Sequence, residues 1–233
     1  MTLSMHQVDV RFGSLTALSQ VDVAVEPGRI TAILGPNAAG KSTLLRLIAV
    51  LERPSRGQVL FDGKNVGRVS SRQIPRLRRK VGVIFQDHKL LTDRKVLDNV
   101  ALPLLIAGYS WSEIRRRVRA ALDLVGLLDK ENTLIPALSG GQQQRVGIAR
   151  AMIAKPPVLL ADEPTGNLDP ELSEELMRLF CTLNELGTTV LIATHDLDLV
   201  ERLGRRTLVL KAGCMIDDRS GAGAGRRDGE AGP

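Results

Sequence analysis

Hydrophobic positions along the chain recur at two spacings, one typical of strands and one typical of helices. Short apolar segments rich in β-branched residues and bounded by turn residues predict strands at 3–12, 18–25, 29–34, 57–61, 81–85, 158–161 and 189–193. Apolar residues at helical spacing predict helices at 41–51, 96–107, 112–125, 142–154 and 171–186. Strands that alternate with helices indicate an α/β fold with a mainly parallel sheet.

The helices predicted in the middle of the chain follow one another without an intervening strand. They therefore predict a helical subdomain at about 87–157, inserted into a core formed by about 1–86 and 158–218. From Arg219 the sequence RSGAGAGRRDGEAGP has no apolar periodicity, which predicts a disordered tail at 219–233.

Length and composition suit one large α/β domain or two small ones, since the chain has 233 residues and is 43% hydrophobic. It has no stretch of about 18 uncharged apolar residues, and its first residues, MTLSMHQVDV, lack the pattern of a secretory signal. We therefore expect a cytoplasmic protein that is not itself anchored in a membrane. Cys181 and Cys214 stand far apart and outside any C-x-x-C motif, which predicts reduced thiols and no structural zinc.

The chain is basic, with a net charge of +6 and a pI of about 9.7. This balance suits an acidic partner, either nucleic acid or the anionic face of a membrane. Much of the excess lies at 72–80 (RQIPRLRRK) and at 115–119 (RRRVR), although both segments also fit solvated helix faces. The one Trp, one Tyr and four Phe do not interleave with these basic segments, so a base-stacking platform is not expected.

A phosphate-binding loop is the clearest chemical feature of the sequence. The segment GPNAAGKST at 35–43 fits the pattern G-x-x-x-x-G-K-[ST], in which loop amides surround the phosphates of a nucleotide. Its residues are Gly35, Pro36, Asn37, Ala38, Ala39, Gly40, Lys41, Ser42 and Thr43. Lys41 supplies a point charge, the Ser42 hydroxyl can hold Mg²⁺, and the predicted helix start adds partial positive charge. The loop therefore predicts binding of ATP or GTP.

Two carboxylates follow the apolar strand predicted at 158–161. Asp162 and Glu163 would lie at the carboxyl edge of a parallel sheet, where α/β proteins bind ligands. Asp162 would then support Mg²⁺ and Glu163 would orient or deprotonate the attacking water. Taken alone, the pair could equally cap the turn that Pro164 begins.

A second anion-binding helix start is predicted at LSGGQ, residues 138–142. With the phosphate loop, LLADEP at 159–164 and a later histidine in this order, the sequence resembles the ATP-binding cassette (ABC) ATPases over about residues 1–218. The resemblance implies a P-loop NTPase core with an antiparallel β subdomain and an inserted α-helical subdomain, and it implies hydrolysis of ATP with Mg²⁺.

The resemblance also implies roles for single residues. Phe12 lies where the family places an aromatic ring against adenine, although it also fits a core position on a strand. Gln86 would reach Mg²⁺ and the attacking water, His195 would contact the γ-phosphate, and Asp169 would lie in a loop that crosses a dimer interface. In the family, the signature segment of one subunit covers the nucleotide held by the other, which implies a homodimer with two composite sites. The signature residues are Ser139, Gly140, Gly141 and Gln142.

The sequence departs from the family pattern at Ala38, where glycine is usual. If this position needs a positive φ, its Cβ costs about 1 kcal/mol. We therefore expect weaker nucleotide binding than glycine would allow, and not a loss of activity.

Within the family, IFQDHKLL at 84–91, DNVALPLL at 98–105 and DEPTGNLD at 162–169 resemble the cell-division ATPases. This resemblance implies an integral membrane partner, control of cell-wall hydrolases, and a location on the cytoplasmic face of the cell membrane at the division site. ATPases that release lipoproteins or export peptides or macrolides share DEPTGNLD and stay open as alternatives, as does a soluble cassette that binds nucleic acid. The partner's helix would enter a groove around 87–105. Candidate contacts, each of which also fits the core, are Leu90, Leu91, Val96, Leu97 and Leu102.

Overall fold

The computed structural model describes residues 2–166 and 168–219. Within these ranges the strands are β1 (Leu3–Phe12), β2 (Leu15–Val25), β3 (Ile30–Leu34), β4 (Arg56–Phe61), β5 (Lys64–Asn65), β6 (Val81–Ile84), β7 (Val158–Asp162), β8 (Thr189–Thr194), β9 (Arg206–Lys211) and β10 (Cys214–Arg219). The α-helices are α1 (Lys41–Ile48), α2 (Ile74–Arg78), α3 (Val96–Ile106), α4 (Trp111–Leu124), α5 (Gly140–Met152), α6 (Pro170–Glu185) and α7 (Leu197–Leu203).

The larger sheet has the strand order β10-β9-β3-β8-β7-β6. Its strands pair in parallel except for β10, which runs antiparallel to β9 at one edge. All positions of β3 and β8 are buried because layers pack on both faces of the sheet. The predicted α/β fold with a mainly parallel sheet is confirmed.

A second, antiparallel sheet has the order β2-β1-β4-β5. Helix α1 packs against β2 on one side and against β7 and β8 on the other. The buried leucines Leu44, Leu45 and Leu47 of α1 therefore join the inner faces of both sheets in one hydrophobic core. The helix that follows the phosphate loop is thus held by both sheets.

The helices of the middle segment cover the other face of the parallel sheet. Helices α3, α4 and α5 contact one another, and their apolar residues form one hydrophobic cluster with β7, β8 and α6. Phe180 of α6 is fully buried in this cluster. Because this core is continuous between sheet and helices, the division into a core and a helical subdomain at 87–157 stays a prediction.

Some elements differ from the prediction. Helices α2 and α7 and strands β5, β9 and β10 were not predicted. The two helices span five and seven residues, too short for a recurring apolar pattern. Strand β10 runs to Arg219, the first residue of the predicted tail, and the rest of that tail lies outside the described residues. In the described part of the chain, none of the helices has the length and apolar character required to span a bilayer.

Candidate nucleotide-binding site

The phosphate loop connects β3 to α1 and folds closely against two neighbouring segments. Gly40 caps α1 with φ 101°, and a Cβ there would lie 2.6 Å from the carbonyl oxygen of Ala17. At Gly35 a Cβ would overlap the carbonyl oxygen of Leu210. Both positions therefore require glycine. No side chain caps the first N–H groups of α1, so these amides remain available to donate to an anion.

Lys41 is buried beneath this loop. Its Nζ donates to the carbonyl oxygens of Gly35 at 2.7 Å and Pro36 at 3.2 Å, and it lies 3.2 Å from Oε1 of Glu163. Only 6% of the Lys41 side chain and 10% of the Glu163 side chain are exposed. The buried ammonium is thus neutralised by a carboxylate from the far side of the cleft.

Glu163 lies in the turn directly after β7, with a φ of 46°. Its amide donates to the carbonyl oxygen of Ala193 at 2.9 Å, which fixes the turn to β8. Its Oε2 lies 3.0 Å from Nδ1 of His195, so the carboxylate connects Lys41 to the histidine. The His195 side chain is 57% exposed, which leaves its ring accessible to a ligand.

Asp162 ends β7 beside the first turn of α1. Burial raises the pKa of its carboxyl group, the nearby Ser42 hydroxyl opposes this rise, and the nearby Glu163 carboxylate adds to it. Among the described residues, Oδ1 of Asp162 has no hydrogen-bond partner although it is buried. A buried carboxylate oxygen beside a hydroxyl is a suitable ligand pair for a hard cation.

Lys41, Glu163 and His195 line a cleft of about 570 Å³ together with residues 37–43 of the phosphate loop and Gln86. Asp162 is not part of the described lining, although it adjoins Glu163. Ligand pockets typically measure about 300–1,000 Å³. Phe12 forms part of one wall and is 45% exposed, so it does not occupy the alternative core position. Leu15 and Thr16 of β2 also line the cleft but carry no sequence signal that would have identified them.

The signature segment and Asp169 do not line this cleft in the described part of the chain. Ser139 caps α5, where its Oγ accepts from the amide of Gln142 at 3.3 Å and Oε1 of Gln142 accepts from the amide of Ser139 at 3.0 Å. Asp169 caps α6 by accepting from the amide of Leu172 at 2.9 Å. A Cβ added to Gly141 would lie 3.5 Å from the Leu172 side chain, so the two helix starts are neighbours.

The sequence did not identify two side chains that connect α5 to the segments after Glu163 and Gln86. The buried amide of Gln144 donates to the carbonyl oxygen of Pro164 at 3.0 Å, just after Glu163. Arg150 donates to the carbonyl oxygens of His88 at 2.6 Å and Lys89 at 2.7 Å. Burial lowers the pKa of Arg150, but arginine remains charged.

The turn that Arg150 holds is strained, because His88 has φ 58° and Lys89 has φ 46°. Asp87 alone separates it from Gln86 in the chain. The guanidinium therefore ties the segment after Gln86 to the helix that begins at the signature segment.

A groove of about 550 Å³ lies between the parallel sheet and the helical layer. Its lining is mainly apolar, with Val83, Phe85 and Leu102 among its residues, and Arg79 and Lys89 also line it. Of the predicted partner contacts, Leu102 lines this groove, whereas the other four are absent from its described lining. Val96 is fully buried, Leu90 and Leu97 pack against the core, and Leu91 is 42% exposed.

The parallel sheet, the phosphate loop and the acidic pair beside it define a P-loop ATPase. The chain matches the family described as "ABC transporter" over residues 18–166, and it therefore belongs to the ABC ATPases.

Two relatives and one solved protein show the extent of the similarity. The chain is 55% identical over 208 residues to the cell division ATP-binding protein FtsE of Escherichia coli K12, covering 89% of this chain and 94% of that protein. It is 50% identical over 199 residues to FtsE of Haemophilus influenzae, covering 85% and 91%. The dimeric structure of MJ0796, a bacterial ABC transporter cassette, matches with a TM-score of 0.88 and 36% identity over 94% of this chain and 98% of that chain. A second MJ0796 structure, a post-hydrolysis state bound to ADP and Pi, matches with a TM-score of 0.88 and 35% identity.

Proposed function

We propose that this ATPase is the nucleotide-binding subunit of a membrane complex that acts in cell division with an FtsX-type integral membrane partner. The observation that carries the ATPase chemistry is the chain of contacts from Lys41 through Glu163 to His195. The similarity to FtsE, which covers 89% of this chain and 94% of that protein, supports the role in division. On that basis the protein acts at the cytoplasmic face of the membrane, at the division site, and controls cell-wall hydrolases.

ATP binding would exchange the partners of Lys41. Its Nζ now contacts two loop carbonyls and Glu163, and nucleotide phosphates would replace them as stronger acceptors. Oε1 of Glu163 would then be free to accept a proton or hydrogen bond from the attacking water. His195 would keep Glu163 in place through Oε2 while its exposed ring contacts the γ-phosphate. Phe12 would pack against adenine.

We further propose that Ser42, Asp162 and Gln86 hold Mg²⁺. The donors are a hydroxyl, a carboxylate and an amide, which are the oxygen ligands that this ion prefers. The unpaired Oδ1 of Asp162 among the described residues fits this assignment. When bound, Mg²⁺ neutralises charge on the phosphates of the nucleotide.

The separation of the phosphate loop from the signature segment supports a homodimer. One chain supplies a cleft lined by its loop, Gln86 and His195, while Ser139 and Gly140 are exposed elsewhere on its surface. Placing Ser139–Gln142 and Asp169 of a second copy over this cleft would complete two equivalent sites. The MJ0796 cassette, which is dimeric, has the same fold.

The groove beside Leu102 is the proposed docking site for a helix of the membrane partner. We expect Leu102→Glu to abolish co-purification with the FtsX-type partner, because a carboxylate would be buried against an apolar helix face. Leu186→Glu is the matched control, since Leu186 is 79% exposed and lies outside the groove lining. Both variants should keep ATP binding and thermal stability close to the parent. Retention of the partner by a folded Leu102→Glu variant would contradict this docking site.

The export and lipoprotein-releasing alternatives have less support, because the relatives reported above are cell-division proteins at 50% and 55% identity. The nucleic-acid-binding alternative would require salt-dependent DNA binding without a membrane partner.

The backbone at Ala38 allows a direct test of the predicted strain. Its φ is 61°, the left-handed conformation that disfavours a Cβ by about 1 kcal/mol. We expect Ala38→Gly to raise ATP affinity by up to roughly five-fold, because the loop would reach its binding conformation at lower cost. Calorimetric titration with ATP measures this change. Ala39→Gly is the control, since Ala39 is not among the positive-φ residues and should show no gain. An unchanged or weaker affinity for Ala38→Gly would refute the strain argument.

A further inference from the structure

The corner between α3 and α4 is an exposed apolar surface that nucleotide chemistry does not use. Residues 105–112, LIAGYSWS, are all exposed and include no charged residue. Leu105 is 47% exposed, Ile106 62%, Tyr109 43% and Trp111 51%. Tyr109 and Trp111 are the only Tyr and the only Trp in the chain. An exposed cluster of large apolar side chains at one corner indicates an interaction surface.

Local contacts hold this corner in a defined shape. Gly108 has φ 82°, which turns the chain after α3, and Ser110 caps α4 by accepting from the amide of Glu113 at 3.4 Å. The Arg117 guanidinium lies 4.6 Å from the centroid of the Tyr109 ring. The same guanidinium pairs with Glu113 at 2.6 Å, so the aromatic side chain is supported from the helix.

A basic surface lies across the groove from this corner. The segment 72–80 carries five Arg or Lys residues in RQIPRLRRK and no acidic residue. Arg72, Arg76 and Arg79 are exposed, whereas Lys80 lies 3.7 Å from Asp62. Pro75 and Arg79 line the groove from this side, and Ile106 and Tyr109 line it from the corner side. The apolar corner and the basic surface therefore flank one opening.

We propose that the α3–α4 corner inserts into the headgroup region of an anionic lipid bilayer, with Arg72 and Arg76 contacting lipid phosphates beside the membrane partner. The placement of this face toward a membrane rests on the proposed function. The preference for an anionic bilayer follows from the side chains of this surface. Amphipathic Trp and Tyr with aliphatic neighbours favour the membrane interface, and clustered arginines favour anionic lipids. Residues 107–110 form the turn between α3 and α4, and the exposed ends of both helices extend its apolar surface on each side. An exposed turn of this kind with aromatic side chains suits the headgroup region of a bilayer.

Trp111 provides a specific probe, because it is the only tryptophan. The full chain, without its membrane partner, is mixed with vesicles of phosphatidylethanolamine and phosphatidylglycerol or of phosphatidylcholine alone. We expect anionic vesicles to shift Trp111 emission to shorter wavelength and brominated lipid to quench it, whereas neutral vesicles should do neither. Added salt should weaken the anionic response because it screens the arginines.

Charge variants separate lipid binding from a general charge effect. Arg72→Glu with Arg76→Glu should reduce affinity for anionic vesicles by at least about ten-fold, whereas Arg178→Glu with Arg202→Glu, on α6 and α7, should change it far less. Both pairs lie outside the described groove lining and the nucleotide cleft, so ATPase activity in detergent should not change. Trp111→Ser should also weaken vesicle flotation.

Three results would overturn the proposal. They are the absence of a Trp111 response to anionic vesicles, an equal response to neutral vesicles, and a response seen only after the membrane partner is reconstituted. The last result would identify the corner as a protein contact. If the parent protein in detergent showed no ATP turnover or did not co-purify with the membrane partner, the proposed function would be contradicted instead. The two failures are therefore distinguishable.

Discussion

The Glu163→Gln variant is expected to lose ATP turnover by about 10²–10⁴-fold while it continues to bind ATP. Glutamine keeps the shape of the side chain and its position between Lys41 and His195, but it cannot accept a proton from water. Without hydrolysis, the shared contacts to the γ-phosphate would persist and the dimer would accumulate. Steady-state hydrolysis measures the first effect, and sedimentation with Mg·ATP measures the second.

Glu174→Gln is the matched control for this result. Glu174 pairs with Arg178 on the exposed surface of α6, with 62% of its side chain accessible, so its loss should change neither turnover nor assembly. Hydrolysis at the parent rate by Glu163→Gln would remove Glu163 from its water-positioning role. A turnover-dead variant that stays monomeric with saturating Mg·ATP and its membrane partner would contradict the proposed composite site.

The Lys41→Ala variant is expected to lose nucleotide affinity by at least about 10–100-fold, since each hydrogen bond to a charged group contributes about 1.5–3 kcal/mol. The same change leaves Glu163, which is 10% exposed, without its cation. Removing one partner of a buried ion pair typically costs about 3–5 kcal/mol, so the nucleotide-free protein should also unfold at lower temperature. ATP titration and thermal unfolding measure the two effects separately.

A double variant distinguishes lost binding from lost folding. Lys41→Ala with Glu163→Gln removes both charges, so it should recover thermal stability without recovering affinity for ATP. Lys64→Ala, at an exposed position of β5, should change neither quantity. Nucleotide affinity close to the parent in Lys41→Ala would show that the phosphate loop does not act through its lysine.

The long periodic elements and the phosphate loop could be predicted because their signals are local. A buried strand, a glycine-rich turn and an amphipathic helix each leave a pattern within a few residues, as at β3, Gly40 and α1. Short or polar elements leave no such pattern. Helix α2 has five residues, and strand β10, with the sequence CMIDDR, has mostly exposed positions.

The interactions that position the site could not be predicted in the same way. Arg150 and Gln144 donate to backbone carbonyls, and a carbonyl acceptor has no residue identity that a sequence pattern could reveal. The contact between Lys41 and Glu163 joins segments far apart in the chain, and it forms because β7 lies in the same sheet as β3. Local patterns do not report such distances.

The amino-acid order alone was enough to establish the fold class and the groups that can perform the chemistry, because phosphate loops and buried strands depend on local residue types. Folding was needed to arrange those groups. It joined Lys41, Glu163 and His195 in one cleft and left Ser139 and Asp169 as helix caps elsewhere, since sheet order and helix packing determine which distant segments meet. It also brought the α3–α4 corner to the groove flanked by the α2 arginines, a proximity that depends on packing between helices and sheet.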